Sequence, residues 1–182
     1  MLSGPPDPGL VPADVYRRLA GDLRRNGSRV VADLSGDHLT AVLEGGVTFL
    51  KVSHEELIRD GLAEGSDPEQ LLPAMRELHA RRAESLVVSR ADQPALALLD
   101  GEAYEVVMPK LEPADPRGTG DSMTAGVAAV LAQGGDLATA VRTGAAAGAL
   151  NVTRHGLGTG RADAIAKMIE HIDLRPLKTE HS

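Results

Sequence analysis

Asp115-Pro116-Arg117-Gly118-Thr119-Gly120-Asp121-Ser122-Met123-Thr124-Ala125-Gly126 is a glycine-containing loop that runs directly into a helix-forming stretch. The start of a helix leaves backbone N–H groups without acceptors and carries partial positive charge. Gly118 and Gly120 let the backbone approach a ligand closely. Together these features make an anion site. Asp121 then places at the helix start a carboxylate able to take a proton from a hydroxyl attacking a bound phosphate. Taken alone the same residues also read as an ordinary helix start, since Asp is a preferred N-cap and Gly-x-Gly before a helix is a common tight turn. Two other phosphate motifs are excluded. No Gly-x-x-x-x-Gly-Lys-[Ser/Thr] occurs, and Gly118-Thr119-Gly120 lacks the third glycine of the dinucleotide fingerprint and follows a turn-rich loop.

Outward from this loop, apolar spacing predicts alternating helices and strands. Pro12 to Asn26 reads as a helix through Val15, Leu19 and Leu23, ended by Gly27. Arg29 to Leu34 is a short β run, Asp37 to Glu44 a helix closed by Gly45-Gly46, and Thr48 to Lys51 another strand. Helices over His54 to Leu62 and Pro68 to Arg81 precede a third strand, Ser85 to Ser89. Such alternation is the signal for a parallel α/β sheet. Ala95 to Leu99 and Ala103 to Met108 flank Asp100-Gly101-Glu102 and read as a late hairpin. Beyond the loop, helices are expected over Asp121 to Gln133, Asp136 to Arg154 and Arg161 to His171. The second of these carries a narrow stripe of small residues, including Gly144 and Gly148, that permits close approach. One domain over residues 1–172 is expected, with 173–182 a tail.

Composition narrows the chemistry. A length of 182 residues suits one globular body, and a net charge of -7 argues against coating a nucleic acid. Phe49, Tyr16 and Tyr104 are the whole aromatic content, too few for a platform on which successive bases stack. Cysteine is absent, which removes thiolate metal sites and thiol nucleophiles and suits a reducing compartment. Met1-Leu2-Ser3-Gly4-Pro5-Pro6 is no leader sequence, and no long apolar run suggests a membrane span, so a cytoplasmic protein is expected. The histidines show no paired metal spacing, and Gly120-Asp121-Ser122 is not a hydrolase elbow.

Gly-Thr-Gly-Asp-Ser-Met-Thr-Ala-Gly, residues 118–126, is very similar to the second signature of PfkB-type, ribokinase-like sugar kinases. Flanking order agrees. Ser3-Gly4-Pro5-Pro6-Asp7-Pro8-Gly9 resembles the family's Ser-Gly-Ser-x-Pro-Pro-Gly. Val31-Ala32-Asp33-Leu34-Ser35-Gly36 resembles its Asp-x-Ser-Gly, and Lys51-Val52-Ser53-His54-Glu55-Glu56-Leu57 its Lys-Pro-Asn-x-x-Glu-Leu. The nearest branch resembles 1-phosphofructokinase and tagatose-6-phosphate kinase. The resemblance implies a three-layer α/β/α sandwich and ATP-dependent transfer of a phosphoryl group to a sugar or sugar phosphate. It implies Asp121 as the base, with the N–H groups of Gly118, Thr119 and Gly120 on the transferred group. It further implies Glu56 for Mg²⁺ held through water, Ser89 near the nucleotide phosphates, Gly148 to Asn151 near the adenine, and Asp115 near a monovalent cation.

The departures are as specific as the matches. The family's amino-terminal part has no counterpart, which leads us to expect a chain truncated on that side and incomplete by itself. The family's Pro-Asn pair is Val52-Ser53, and its two glycines after Ser89 are replaced in Arg90-Ala91-Asp92-Gln93-Pro94, which weakens nucleotide affinity. Without the missing strands, Arg29 to Leu34 is expected to be an open apolar edge that favours a homodimer or association with the missing portion. A non-catalytic nucleotide-binding or interaction domain derived from such a kinase is the alternative.

Overall fold

The computed structural model describes residues 1–5, 7, 9–109, 111–112, 114–115, 117–153, 158 and 160–177. The chain divides into two compact units, Met1–Glu102 and Ala103–Ser182.

In the first unit, β1 (Leu2–Ser3), β2 (Val31–Asp33), β3 (Val47–Ser53) and β4 (Ala83–Arg90) lie side by side in sequence order, each parallel to the next. They are connected by α1 (Ala13–Arg25), α2 (Gly36–Gly45), α3 (His54–Arg59) and α4 (Pro68–Ala80). β3 is buried on both faces, the continuous apolar run that an interior strand of a parallel sheet requires. Its Phe49 and Leu50 and the neighbouring Leu86 of β4 are fully covered. α1 keeps its expected span, with Pro12 and Asn26 as its caps and Gly27 at φ 73 turning the chain away.

One expectation fails here and one turn was not foreseen, each for a local reason. The strand at Arg29 to Leu34 is not an open edge. Leu2 and Ser3 pair with Ala32 and Asp33, the Tyr16 hydroxyl donates to the Ser3 carbonyl at 3.0 Å, and Val31, the most exposed of Val30, Val31 and Leu34, is only 3% exposed. Proline withholds only its own N–H, and the prolines begin at Pro5, so the residues before them are free to pair. The second difference is a turn that carries no glycine. β5 (Gln93–Leu99) folds back antiparallel on β4, with Arg90 opposite Gln93 and Ala91 at φ 51 in the tip. The Gly and Asn that mark tight hairpins are absent there. At the turn that was expected, Asp100 and Gly101 have φ 51 and 86, as an Asp-Gly hairpin demands.

The second unit holds β6 (Glu102–Val107), α5 (Thr119–Ala132), α6 (Leu137–Val152), α7 (Ala162–Ile169) and β7 (Asp173–Pro176). β7 runs antiparallel to β6, and the Leu177 N–H donates to the Ala103 carbonyl at 2.8 Å. The expected tail therefore begins as a strand, which carries too few apolar residues to show period-two alternation; residues 178–182 lie outside the described residues. α5 and α6 meet along the small-residue stripe. A Cβ placed on Gly144 would stand 2.6 Å from the Met123 carbonyl oxygen, and one on Gly126 would stand 2.9 Å from the Gly144 Cα. Only a hydrogen fits at either position.

Candidate active site

α5 starts two residues earlier than its expected Asp121 boundary, and the shift matters. Its N-cap is Gly118, left-handed at φ 73, so Thr119, Gly120 and Asp121 fill the first three helical positions. The cap residue has no side chain, and Asp121 is therefore not the N-cap that the ordinary reading required. Asp121 is exposed, and among the described residues no hydrogen bond or ion pair engages its carboxylate. The first intrahelical bond runs from the Ser122 N–H to the Gly118 carbonyl at 2.9 Å. Helical geometry leaves the N–H groups ahead of it, Gly120 and Asp121 among them, without an acceptor on their own helix. A turn carrying backbone donors and a free carboxylate is thus the observed form of the Gly118 to Asp121 stretch.

α6 forms the floor beneath that turn. Asn151 is fully buried; its Nδ2 donates to the Arg117 carbonyl at 2.7 Å and its Oδ1 accepts from the Gly158 N–H at 3.1 Å. A Cβ on Gly148 would come within 3.1 Å of the Thr119 carbonyl oxygen, so the absence of a side chain lets α6 back the first turn of α5. Gly148 and Asn151, from the stretch expected beside the adenine, thus shape the loop. Asp115, 8% exposed, accepts from the Arg117 N–H at 3.0 Å and from its guanidinium at 3.0 and 2.7 Å. These hydrogen bonds first, and the carboxylate's charge second, raise Arg117 above the ordinary guanidinium range. Both Asp115 oxygens face Arg117.

In the first unit, the candidate residues collect at the carboxyl ends of the parallel strands. Ser53 ends β3 and caps α3: its Oγ accepts from the Glu56 N–H at 3.2 Å, while Glu56 Oε2 accepts from the Ser53 N–H at 2.7 Å and from its hydroxyl at 2.9 Å. This capping box fixes Glu56 through one carboxylate oxygen. Ser89 lies opposite Ser53 in the ladder, with its carbonyl 3.3 Å from His54 Nδ1. A cavity of about 620 Å³ opens among Gly4, Leu34, Gly36, His38, Glu56 and Arg59. A cleft of similar size, about 600 Å³, lies among Arg17, Arg18, Arg24 and Arg25, but their guanidiniums are paired with Asp14, Glu84 and Asp22, and no candidate residue lines it. Sequence reasoning quoted Asp33 and Lys51 within motifs but gave them no role. They are register neighbours on β2 and β3, with Lys51 Nζ 3.3 Å from Asp33 Oδ1 and the Lys51 and Asp33 side chains 10% and 14% exposed. A charged residue near the end of each of two adjacent apolar strands was the signal available for them.

Residues 8–164 match the model of the pfkB family carbohydrate kinases. The chain belongs to that family. All the candidate residues, from Glu56 to Asn151, fall within the matched span. As a pfkB family chain it is 33% identical over 172 residues to an ATP-dependent 6-phosphofructokinase isozyme 2 of Mycobacterium tuberculosis, covering 93% of this chain and 50% of that protein. It is 30% identical over 152 residues to a 1-phosphofructokinase of Bacillus subtilis, covering 84% of this chain and 50% of that protein. A crystal structure of phosphofructokinase-2 from Escherichia coli in complex with potassium superposes with a TM-score of 0.80 at 28% identity, over 92% of this chain and 54% of that one. The chain spans about half the length of the curated relatives it matches. The ribokinase-like α/β fold and the likeness to phosphofructokinases are both borne out. Among the described residues no helix is long and apolar enough to cross a membrane.

Proposed function

We propose that this chain carries the nucleotide-handling part of a cytoplasmic, ATP-dependent carbohydrate kinase that phosphorylates a hydroxyl of a sugar or sugar phosphate. The observation that carries the reading is Asp121. Its carboxylate is exposed at the third position of a helix capped by a left-handed glycine, and the local fold gives it no other employment among the described residues. In this role Asp121 takes the proton from the attacking hydroxyl, while the backbone N–H groups of Gly118, Thr119 and Gly120 hold the charge that develops on the group in transfer. Asn151 and Gly148 keep that turn in shape from below. ATP supplies the phosphoryl group.

The residues present suit ATP and Mg²⁺. Among the described residues no cluster of three metal-ligating side chains exists. Mg²⁺ at phosphotransfer sites needs none, because it is held through one or two carboxylates, waters and the substrate's own phosphates. Glu56, pinned by Ser53 through a single oxygen, fits a carboxylate that holds the ion through water, and Ser89 beside it fits a contact to phosphate. For the acceptor, the chain spans about half the length of these relatives, and we assign recognition of the sugar to residues outside the stretch it shares with them. Titration calorimetry with ATP and Mg²⁺ at millimolar concentration tests the nucleotide side: weak binding is expected, and no heat from a folded chain contradicts the reading. Binding without any phosphotransfer, in the presence of the acceptor half, supports the non-catalytic alternative.

A further inference from the structure

Arg90 has a burial that packing does not explain. It ends β4, is only 6% exposed, and its Nε and Nη1 are buried without a hydrogen-bond partner. Nη2 alone is engaged, donating to the Gln93 side-chain oxygen across the β4–β5 turn. A guanidinium keeps its charge at any physiological pH and presents its donors in a rigid fork. Leaving such a group buried and unpaired is strongly unfavourable. Leu86 and Val88 precede it at alternate positions of β4 and are fully covered, so an aliphatic side chain would continue the run. The exposed Asp92, two residues on in the turn, does not engage these two nitrogens.

The position of Arg90 indicates what its donors meet. Open α/β sheets bind ligands beyond the carboxyl ends of their parallel strands, and Arg90 stands at that end of β4. It follows Ser89, which lies opposite Ser53, the residue that caps the helix of Glu56. Two orphan N–H groups on one guanidinium match two oxygens of a phosphate. The turn also restrains the side chain weakly: the β4–β5 register shifts between Val88 and Arg90, Ala91 sits at φ 51, and residues 91–93 are exposed. We propose that Arg90 is a phosphate receptor, folded inward in the ligand-free chain and rotating out past the Gln93 contact to hold a phosphate group at the strand ends. It places a side chain where backbone N–H groups of a glycine turn are missing from Arg90-Ala91-Asp92-Gln93-Pro94. Only the further assignment of that phosphate to a nucleotide rests on the proposed function.

Calorimetry with Mg²⁺-ATP, tripolyphosphate and fructose 6-phosphate, on the wild type, Arg90→Leu and Arg90→Lys, tests the proposal alongside thermal denaturation without ligand. Arg90→Leu is expected to melt higher than the wild type, because an unpaired buried charge is gone, and yet to bind the phosphate ligand roughly tenfold or more weakly. Arg90→Lys should fall between, since it keeps the charge and loses the fork. Loss confined to ATP and tripolyphosphate identifies a nucleotide; loss confined to fructose 6-phosphate identifies a sugar phosphate. Wild-type binding of tripolyphosphate without ATP sustains the receptor and defeats the nucleotide reading. Unchanged affinities in both variants, or no phosphate ligand bound by the wild type, overturn the receptor.

Discussion

The turn from Gly118 to Asp121 and the strand ends around Glu56 and Arg90 treat their charged groups in opposite ways. Under the turn, buried polar groups bind backbone: Asn151 holds the Arg117 carbonyl and Asp115 accepts from the Arg117 N–H. The Asp121 carboxylate above them is left unengaged among the described residues. At the strand ends, charged side chains mostly bind local partners, Asp33 with Lys51 and Glu56 with Ser53, and one cation, Arg90, keeps two unmatched nitrogens. A reactive carboxylate needs a rigid mount and no competing partner, which the first arrangement supplies. On the proposed reading, a site that gathers a metal ion and phosphates can keep its charges balanced until the ligand arrives, the role given to the second arrangement.

The contrast can be broken most forcefully from beneath the turn. Asn151→Leu strands the Arg117 carbonyl and the Gly158 N–H, each at a cost of about 1–3 kcal/mol, so thermal denaturation should show a marked fall and nucleotide affinity should fall with it. Unchanged affinity would mean that the turn holds its shape without this floor. Gly144→Ala acts farther along the same helix pair, where the new Cβ meets the Met123 carbonyl, and overpacking of this kind costs about 1–3 kcal/mol in chemical denaturation. A wild-type midpoint for that variant would contradict the close α5–α6 approach.

Smaller effects test the strand ends. Ser53→Ala removes the cap of α3, for a loss of about 1 kcal/mol, and frees the Glu56 carboxylate from one of its hydrogen bonds. Mg²⁺ dependence of nucleotide binding should change in this variant, whereas in Asn151→Leu only overall affinity should. The smallest effect is a pH dependence at the other end of α6 from Asn151. Asp136 caps α6, and the Thr139 N–H and hydroxyl hold its carboxyl below its ordinary value. Its contribution is therefore present above the ordinary carboxyl pKa and is lost as pH falls through the lowered one. Asp136→Asn, which caps without titrating, should flatten this part of the acid-denaturation profile.

Regions of the chain differ in how much their sequence disclosed. The Gly118 to Asp121 turn was legible because its donors, its glycines and its carboxylate are consecutive in the chain. α1 and the Asp100-Gly101 turn were legible for the same reason, since caps and turn residues act over a few positions. What supports the turn was not. Asn151 reaches a carbonyl 34 positions away, and periodicity could show only that α6 carries small residues, not what each faces. The pairing of Leu2 and Ser3 with β2 escaped because a two-residue strand has no alternation to detect. Arg90 looked like a lost glycine turn, and its inward fold became visible only from its burial.

The most direct measurement is the Asp121→Asn substitution in a preparation containing the acceptor half, assayed for ADP release with fructose 1-phosphate, fructose 6-phosphate and tagatose 6-phosphate. Asn is isosteric and cannot act as the base, and Asp121 is not the cap of α5, so thermal stability and nucleotide affinity should stay near the wild type. A general base of this kind contributes roughly 10²–10⁴ in rate, and kcat should fall by that factor. Wild-type turnover with Asn at this position, or a loss of activity explained by a fall in melting temperature, contradicts Asp121 as the proton acceptor.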